Sequence, residues 1–175
     1  WTDGYGRVSY TTNSIISPVV KIALKEFAGD MKAVTGFDAK EKSGAPIQIY
    51  QLDQLTNKEF SAVEKLGAPL HLIITAKDAF YIGTRKGKLI VIGSNARGTA
   101  YAIMKLSELA GVSPLAAWND LQPAQRKSLY TPVDQQWIEV PRIEFRGLAL
   151  NNSQWMKPQN YSRIARLMLR LRANT

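Results

Sequence analysis

The chain has 175 residues, with 23 lysines and arginines against 14 acidic residues, a formal charge of +9, one histidine and no cysteine. Disulfides and thiol chemistry are thereby excluded, and so is a metal site built from several histidines. No apolar run approaches the roughly 20 residues that a membrane span requires, and the length supports one good core plus a fragment of a second domain.

Residues 7–12 alternate weakly and predict an edge strand. Ser17-Pro18 opens a helix, a capping hydroxyl before a proline at the first helical position. Val20, Ala23, Leu24, Phe27, Met31 and Val34 then repeat at helical spacing until Gly36. Residues 40–45 read as a polar loop. Residues 46–52 alternate as a half-buried strand, with Ile47, Ile49 and Gln51 on one side. Residues 57–66 predict a shorter amphipathic helix through Phe60, Val63 and Leu66, closed by Gly67. Residues 70–75, 79–84 and 89–92, set apart by tight polar turns, predict a three-stranded meander. His71 opens the first of these strands. No serine or aspartate is placed to relay protons with it, so it reads as a locally hydrogen-bonded histidine.

The stretch from Lys88 to Asp120 organises the segments that precede it. Leu89-Ile90-Val91-Ile92 has the β-branched character of a strand buried on both faces. Gly93 stops it, and Ser94 or Asn95 caps a helix carrying Ala100, Ile103, Met104, Leu106, Leu109 and Ala110. Gly111 and Pro114 end that helix. Residues 93–98, GSNARG, lack the third glycine of a dinucleotide turn and the lysine of a phosphate loop, so they read as a strand-to-helix turn with a close helix contact. No cofactor-binding or metal-ligating set is expected. Val20, Leu24, Phe27, Ile74, Ile90, Val91, Ile103 and Leu106 are expected in one core.

Residues 122–134 read as a polar linker with two prolines, and Trp137, Ile138 and Val140 as a short extended stretch. Leu148-Ala149-Leu150 is apolar on consecutive positions, as in a strand buried on both faces. From Pro158, Tyr161, Ile164, Ala165, Met168 and Leu171 mark an amphipathic helix. Arg163, Arg166, Arg170 and Arg172 make it the densest basic cluster. That cluster reads as a solvated face or one covered by a further segment, because a nucleic-acid groove wants aromatics interleaved on a basic stripe and that pattern is absent.

Ala96-Arg97-Gly98-Thr99-Ala100-Tyr101, followed by Leu106-Ser107-Glu108, Gly111-Val112-Ser113-Pro114 and Trp118-Asn119-Asp120-Leu121, resembles the N-terminal domain of family 115 glycoside hydrolases, the xylan α-glucuronidase type. The resemblance resumes at Pro141-Arg142-Ile143-Glu144-Phe145-Arg146-Gly147, which looks like that family's entry into its catalytic barrel. It implies an α+β fold, a mixed sheet with packed helices, followed by the first β-α unit of a (β/α)8 barrel. The implied domains are 1–120 for the α+β part, 121–140 for a linker, and 141–175 for the start of a barrel whose remainder is the partner. Family members carry several aromatics after GVSP, where this chain has Leu115-Ala116-Ala117 and keeps Trp118. Asn152 stands where the family carries an acidic residue.

In such barrels the active site lies at the carboxyl ends of the strands. Asn151, Asn152 and Trp155 are therefore the expected substrate-binding residues, amides for sugar hydroxyls and an indole to stack on a pyranose. Glycoside hydrolysis normally needs two carboxyl groups across the scissile bond, and no such pair follows this strand. No catalytic residue is expected within the 175 residues. The leading expectation is the non-catalytic N-terminal part of a secreted or periplasmic glycoside hydrolase, its signal peptide removed, acting on plant or host polysaccharide. A freestanding carbohydrate-binding or scaffold module is the second reading, and a nucleic-acid-binding protein, motivated by charge alone, the third.

Overall fold

The computed structural model describes residues 1–3, 5–119, 121–149 and 157–175. The strands are β1 (Ser9–Thr12), β2 (Lys40–Glu41), β3 (Ile47–Gln51), β4 (Phe80–Arg85), β5 (Lys88–Gly93) and β6 (Gln136–Glu139). The helices are α1 (Pro18–Thr35), α2 (Asn57–Glu64), α3 (Ala96–Leu109), the single turn α4 (Ala116–Asn119) and α5 (Pro158–Arg170). One mixed sheet runs β2-β1-β3-β5-β4-β6. The first four strands in that order are parallel, and β4 pairs antiparallel with both β5 and β6. The fold is the expected α+β arrangement of a mixed sheet with packed helices.

Period-two alternation sorts the strands' side chains onto two faces. Ile47, Ile49, Phe80, Ile82, Leu89 and Val91 face α1 and α3. Tyr81, Ile90 and Ile92 face α2 and the loop before β4, where Val63 and Ile73 close a second cluster. The single expected core is thus two cores divided by the sheet, with Ile90 on the far side from Val91. Val20, Leu24, Phe27, Ile103 and Leu106 lie in the first cluster as expected.

Local sequence explains most element ends. Gly36 closes α1 at φ 85, donating to the Lys32 carbonyl. Thr56 and Glu59 form a reciprocal capping box at α2. The Ser14 and Thr56 backbone N–H groups, with the Thr56 hydroxyl, hold the Glu59 carboxyl at about 2. Ser17 makes no side-chain cap on α1; its hydroxyl accepts from the Gln51 amide, and its N–H donates to the Gln51 Oε1.

Three expectations change. Residues 70–72 form a 3-10 turn rather than a strand, so the meander is a hairpin of β4 and β5. Pro69 withholds a backbone donor there, and Ile74, expected in the core, is 44% exposed while Ile73 is buried. His71 is exposed on that turn. β1 is an interior strand, because Lys40–Glu41, read as loop, pairs outside it. The extended stretch expected at Trp137 and Ile138 is β6, which extends the sheet beyond β4, so part of the 121–140 segment belongs to the sheet. It is fastened before that strand too: the Arg126 N–H donates to Val34, the Leu129 N–H to the Thr2 hydroxyl, and the Trp1 indole to Thr131.

Phe27 is fully buried and meets Tyr10 edge-on at a centroid distance of 6.4 Å. Phe27→Ala should cost on the order of 3–5 kcal/mol in denaturant melts. A loss below about 1 kcal/mol would place Phe27 outside the core.

Candidate functional site

The two stretches that carry the family resemblance meet in space, and Asp78 is the point of contact. It lies in the turn before β4, in left-handed backbone at φ 60, with its side chain only 2% exposed. One carboxylate oxygen accepts from Arg97 Nε at 2.9 Å and from the Asn95 amide at 3.2 Å. The other accepts from the Asn174 amide at 3.0 Å and from Arg146 Nη2 at 3.3 Å. Asn95 and Arg97 belong to the start of α3. Arg146 lies before the expected barrel strand, and Asn174 comes after α5.

Local geometry explains the placement. Asn95 caps α3 by accepting from the Gly98 N–H. Gly98 permits α3 to press on the Asp78–Ala79 backbone, since a Cβ there would overlap the Ala79 carbonyl oxygen. Ser94 accepts from the Ala79 N–H. The expected strand-to-helix turn with a close helix contact is therefore present. On the other side, Arg146 is spread over four acceptors besides Asp78: its Nε donates to the Arg172 carbonyl, its Nη1 to those of Ile143 and Glu144, and its N–H to the Asn174 side chain. The Asn174 amide also donates to the Glu144 carbonyl, and the buried Tyr101 hydroxyl to that of Ala173.

Burial alone would raise the Asp78 carboxyl, but the donated bonds of Arg97, Asn174 and Asn95, with the Arg97 charge, hold it below its ordinary 3.8. Such a carboxylate is engaged on both oxygens and is a poor general base. A cleft of about 540 Å³ opens beside it, with Lys77, paired to Glu144 at 2.9 Å, on its rim. The chemistry here is that of a joint, in which one buried charge ties two parts of the chain together. Among the described residues no group of acidic and histidine side chains is arranged to hold a metal ion.

The arginine cluster on α5, expected as a solvated face or one covered by a further segment, divides: Arg163 and Arg166 are exposed, whereas Arg170 and Arg172 are covered. Arg170 donates to both Asp30 oxygens and reaches Glu26, which also pairs with Arg166 at 3.4 Å. Arg172 pairs with Glu108 and Glu139 at 3.0 and 2.8 Å, and Arg163 lies 4.7 Å from the Trp118 ring centroid. Arg170 and Arg172 are thus drawn onto α1, α3 and β6 of the same chain.

A second polar cluster sits at the carboxyl ends of the parallel strands, the usual ligand position in open α/β sheets. There Gln51 bonds Asn13, Ser17 and Asp53, so the cluster is closed on itself. The sequence-derived site residues Asn151, Asn152 and Trp155 lie outside the described residues. Sequence reading missed Asp78, taken as a turn residue. Its signal was indirect: both arginines that hold it sit inside the two family-like stretches.

No family model matches the chain, and no curated protein matches it. Solved structures do. Over 97% of its length the chain superposes, with a TM-score of 0.80 and 27% identity, on 24% of a family 115 4-O-methyl-α-glucuronidase with specificity for decorated arabinogalactans. It also matches 23% of the Flavobacterium johnsoniae chitobiase, at TM-score 0.60 and 17% identity over 99% of this chain. A family 138 enzyme targeting pectin rhamnogalacturonan II matches at TM-score 0.58 and 13% identity over 95% of this chain and 18% of its own. The last two show the fold alone. The chain spans about a quarter or less of the length of these structures.

Asp78→Asn keeps a side chain that tolerates left-handed backbone but removes the charge. At pH 7 it should cost about 2–3 kcal/mol, as expected for hydrogen bonds to a charged group. The folded carboxyl is depressed, so its contribution is present above 3.8 and lost as pH falls through the lower folded value. The gap between wild type and variant in urea melts should therefore close below about pH 4. A gap that persists unchanged to pH 2 would show that the charge is not what stabilises the joint.

Proposed function

From a chain built like the N-terminal region of a family 115 glycoside hydrolase, we propose the non-catalytic N-terminal part of a secreted enzyme that acts on plant or host polysaccharide, with α-glucuronidase-like chemistry. The observation that carries this reading is that residues 146–148, which form no strand among the described residues, run beside Asn174 and Thr175 across the Asp78 joint. The Thr175 N–H donates to the Arg146 carbonyl, and the Leu148 N–H to that of Thr175, the two bonds of a single parallel rung. A Cβ on Gly147 would overlap the Thr175 carbonyl oxygen. In chain order α5 lies between these two segments. Around it Ile143, Phe145, Leu148, Tyr161 and Leu171 are exposed. Exposed apolar side chains on these segments suit burial against the next β/α units of a barrel.

On this reading the joint sets the angle at which the first barrel strand leaves the N-terminal domain. Asn151, Asn152 and Trp155 come directly after that strand and lie at the rim of the sugar pocket, where barrel active sites form. Asn152 both donates and accepts hydrogen bonds to sugar hydroxyls, and Trp155 offers a ring face. The acid and base that cleave the bond come from later strands. No helix among the described residues is long and apolar enough to cross a membrane, and secretion is part of the proposal.

Two measurements test the proposal. The 175-residue chain alone should turn over no aryl glycoside; turnover abolished by a point mutation within the chain would overturn the non-catalytic assignment. In the full-length enzyme Asn152→Ala should lower kcat/KM by roughly ten- to a hundredfold, from about 1–3 kcal/mol of lost hydrogen bonding, with little change in melting. Unaltered kinetics with a destabilised fold would make Asn152 a turn-forming residue instead.

A further inference from the structure

A group of basic side chains lies at the opposite edge of the sheet. Between β2, the start of β1 and the C-terminus of α1 lies a cleft of about 710 Å³ lined by Arg7, Lys32, Lys40 and Lys42, with Phe37 in its wall. Gly36 and Phe37 also line an adjoining cleft of about 510 Å³ that carries Tyr5, Arg126 and Lys127. Phe37 therefore stands on the ridge between two clefts with six cations around it. Phe37 is 42% exposed, and Tyr5 is 80% exposed. None of Arg7, Lys32, Lys40 and Lys42 has an ion pair among the described residues. The Arg7 guanidinium instead lies 5.2 Å from the Phe37 centroid, so one ring carries an unpaired fork of donors beside it.

We infer that these clefts form a non-catalytic binding site for an acidic polysaccharide, a glycan chain carrying uronate carboxylates. Lys40 and Lys42 alternate along an extended edge and so point to the same side, a rigid pair of ammonium groups for carboxylates on successive units. Their backbone N–H groups bond to Val8 and Tyr10 of the neighbouring segment, which fixes their spacing. Phe37 offers a flat apolar surface for a sugar ring, and Arg7 at its side donates to the carboxylate of that ring. Asp38, also in the lining, accepts from hydroxyls.

The mixed lining separates this ligand from a nucleic acid. A phosphodiester strand has few hydroxyls to offer Asp3, Asp38 and Glu41, which line the same cleft. A single-strand groove also stacks successive bases on a series of aromatics. Here Phe37 alone among the aromatics lines both clefts, with Tyr5 in one of them, which is no series of stacking platforms. A glycan with carboxylates for the cations and many hydroxyls for the acidic side chains matches both signs of charge. Individual sugar contacts of this kind are weak, so the site gains its strength from a polymer engaging both clefts at once.

The inference rests on the glycoside-hydrolase reading and has its own test. Affinity electrophoresis of the 175-residue chain is run in gels containing polygalacturonate, glucuronoxylan, or the same xylan with its carboxyl groups reduced. Wild type should be retarded by both acidic polymers and not by the reduced one, and retardation should fall with added salt. Lys40→Gln with Lys42→Gln, and separately Phe37→Ala, should each weaken binding about tenfold while melting stays within a degree or two. Equal retardation in the reduced xylan, or no effect of either variant on a retarded folded chain, overturns the proposal. So does tighter binding to a single-stranded oligonucleotide than to either acidic polymer. If no polymer retards the chain while the full-length enzyme still cleaves glycosides, this inference fails and the glycoside-hydrolase reading stands.

Discussion

A carboxylate taken out of water must be met by donors on every side, because an unpaired buried charge costs several kcal/mol. Asp78 meets that demand with donors from two regions far apart in sequence, Asn95 and Arg97 on one side and Arg146 and Asn174 on the other. Neither pair alone fills both oxygens. The residues that build the start of α3 and those that flank the expected barrel strand are therefore held in one geometry by one charge. The supporting details answer the same demand: the left-handed turn that aims Asp78 inward, the glycine that lets α3 approach Ala79, and the spread of Arg146 over neighbouring carbonyls.

The joint also accounts for the distribution of charge. A net +9 invites the picture of one basic surface, yet the densest run of arginines is spent internally. Arg166, Arg170 and Arg172 draw α5 onto α1, α3 and β6 through Glu26, Asp30, Glu108 and Glu139. Arg170 is mostly buried between Asp30 and Glu26, a setting in which a guanidinium's fixed fork suits two carboxylates better than a lysine would. With polar pairs directed at the N-terminal part, much of the helix's apolar stripe is left outward. An amphipathic helix thus serves two neighbours, one through ion pairs and one through apolar contact, and the second neighbour is the proposed barrel.

Helix α1, strand β3, helix α3 and the start of α5 were legible from the amino-acid sequence because their determinants are local: apolar residues at a fixed period, a proline at a first turn, a glycine at φ above zero. The resemblance at residues 96–101 and 141–147 also pointed to the architecture that the solved glycosidase structure displays. Other features depended on the segments alongside. Residues 70–72 have strand-like composition, but Pro69 and the absence of a partner strand leave them as a turn. Lys40–Glu41 has no strand signal of its own and pairs because β1 presents a free edge. Ile90 and Val91 are indistinguishable in sequence, and only the sheet decides that they enter different cores.

The same division holds for the sites. Residue types and chain order were enough to single out Asn151, Asn152 and Trp155 as sugar-binding candidates, since such an assignment needs only a strand and the loop after it. Asp78 offered nothing to read, because a lone turn aspartate has no period and its partners stand 17 to 96 positions away. The cationic clefts around Phe37 are equally invisible along the chain, where Arg7, Lys32, Lys42 and Lys127 are scattered. Local spacing determines helices, strands and their ends. Which charges are buried, which are paired and which are left to face a ligand is decided only when distant segments desolvate one another.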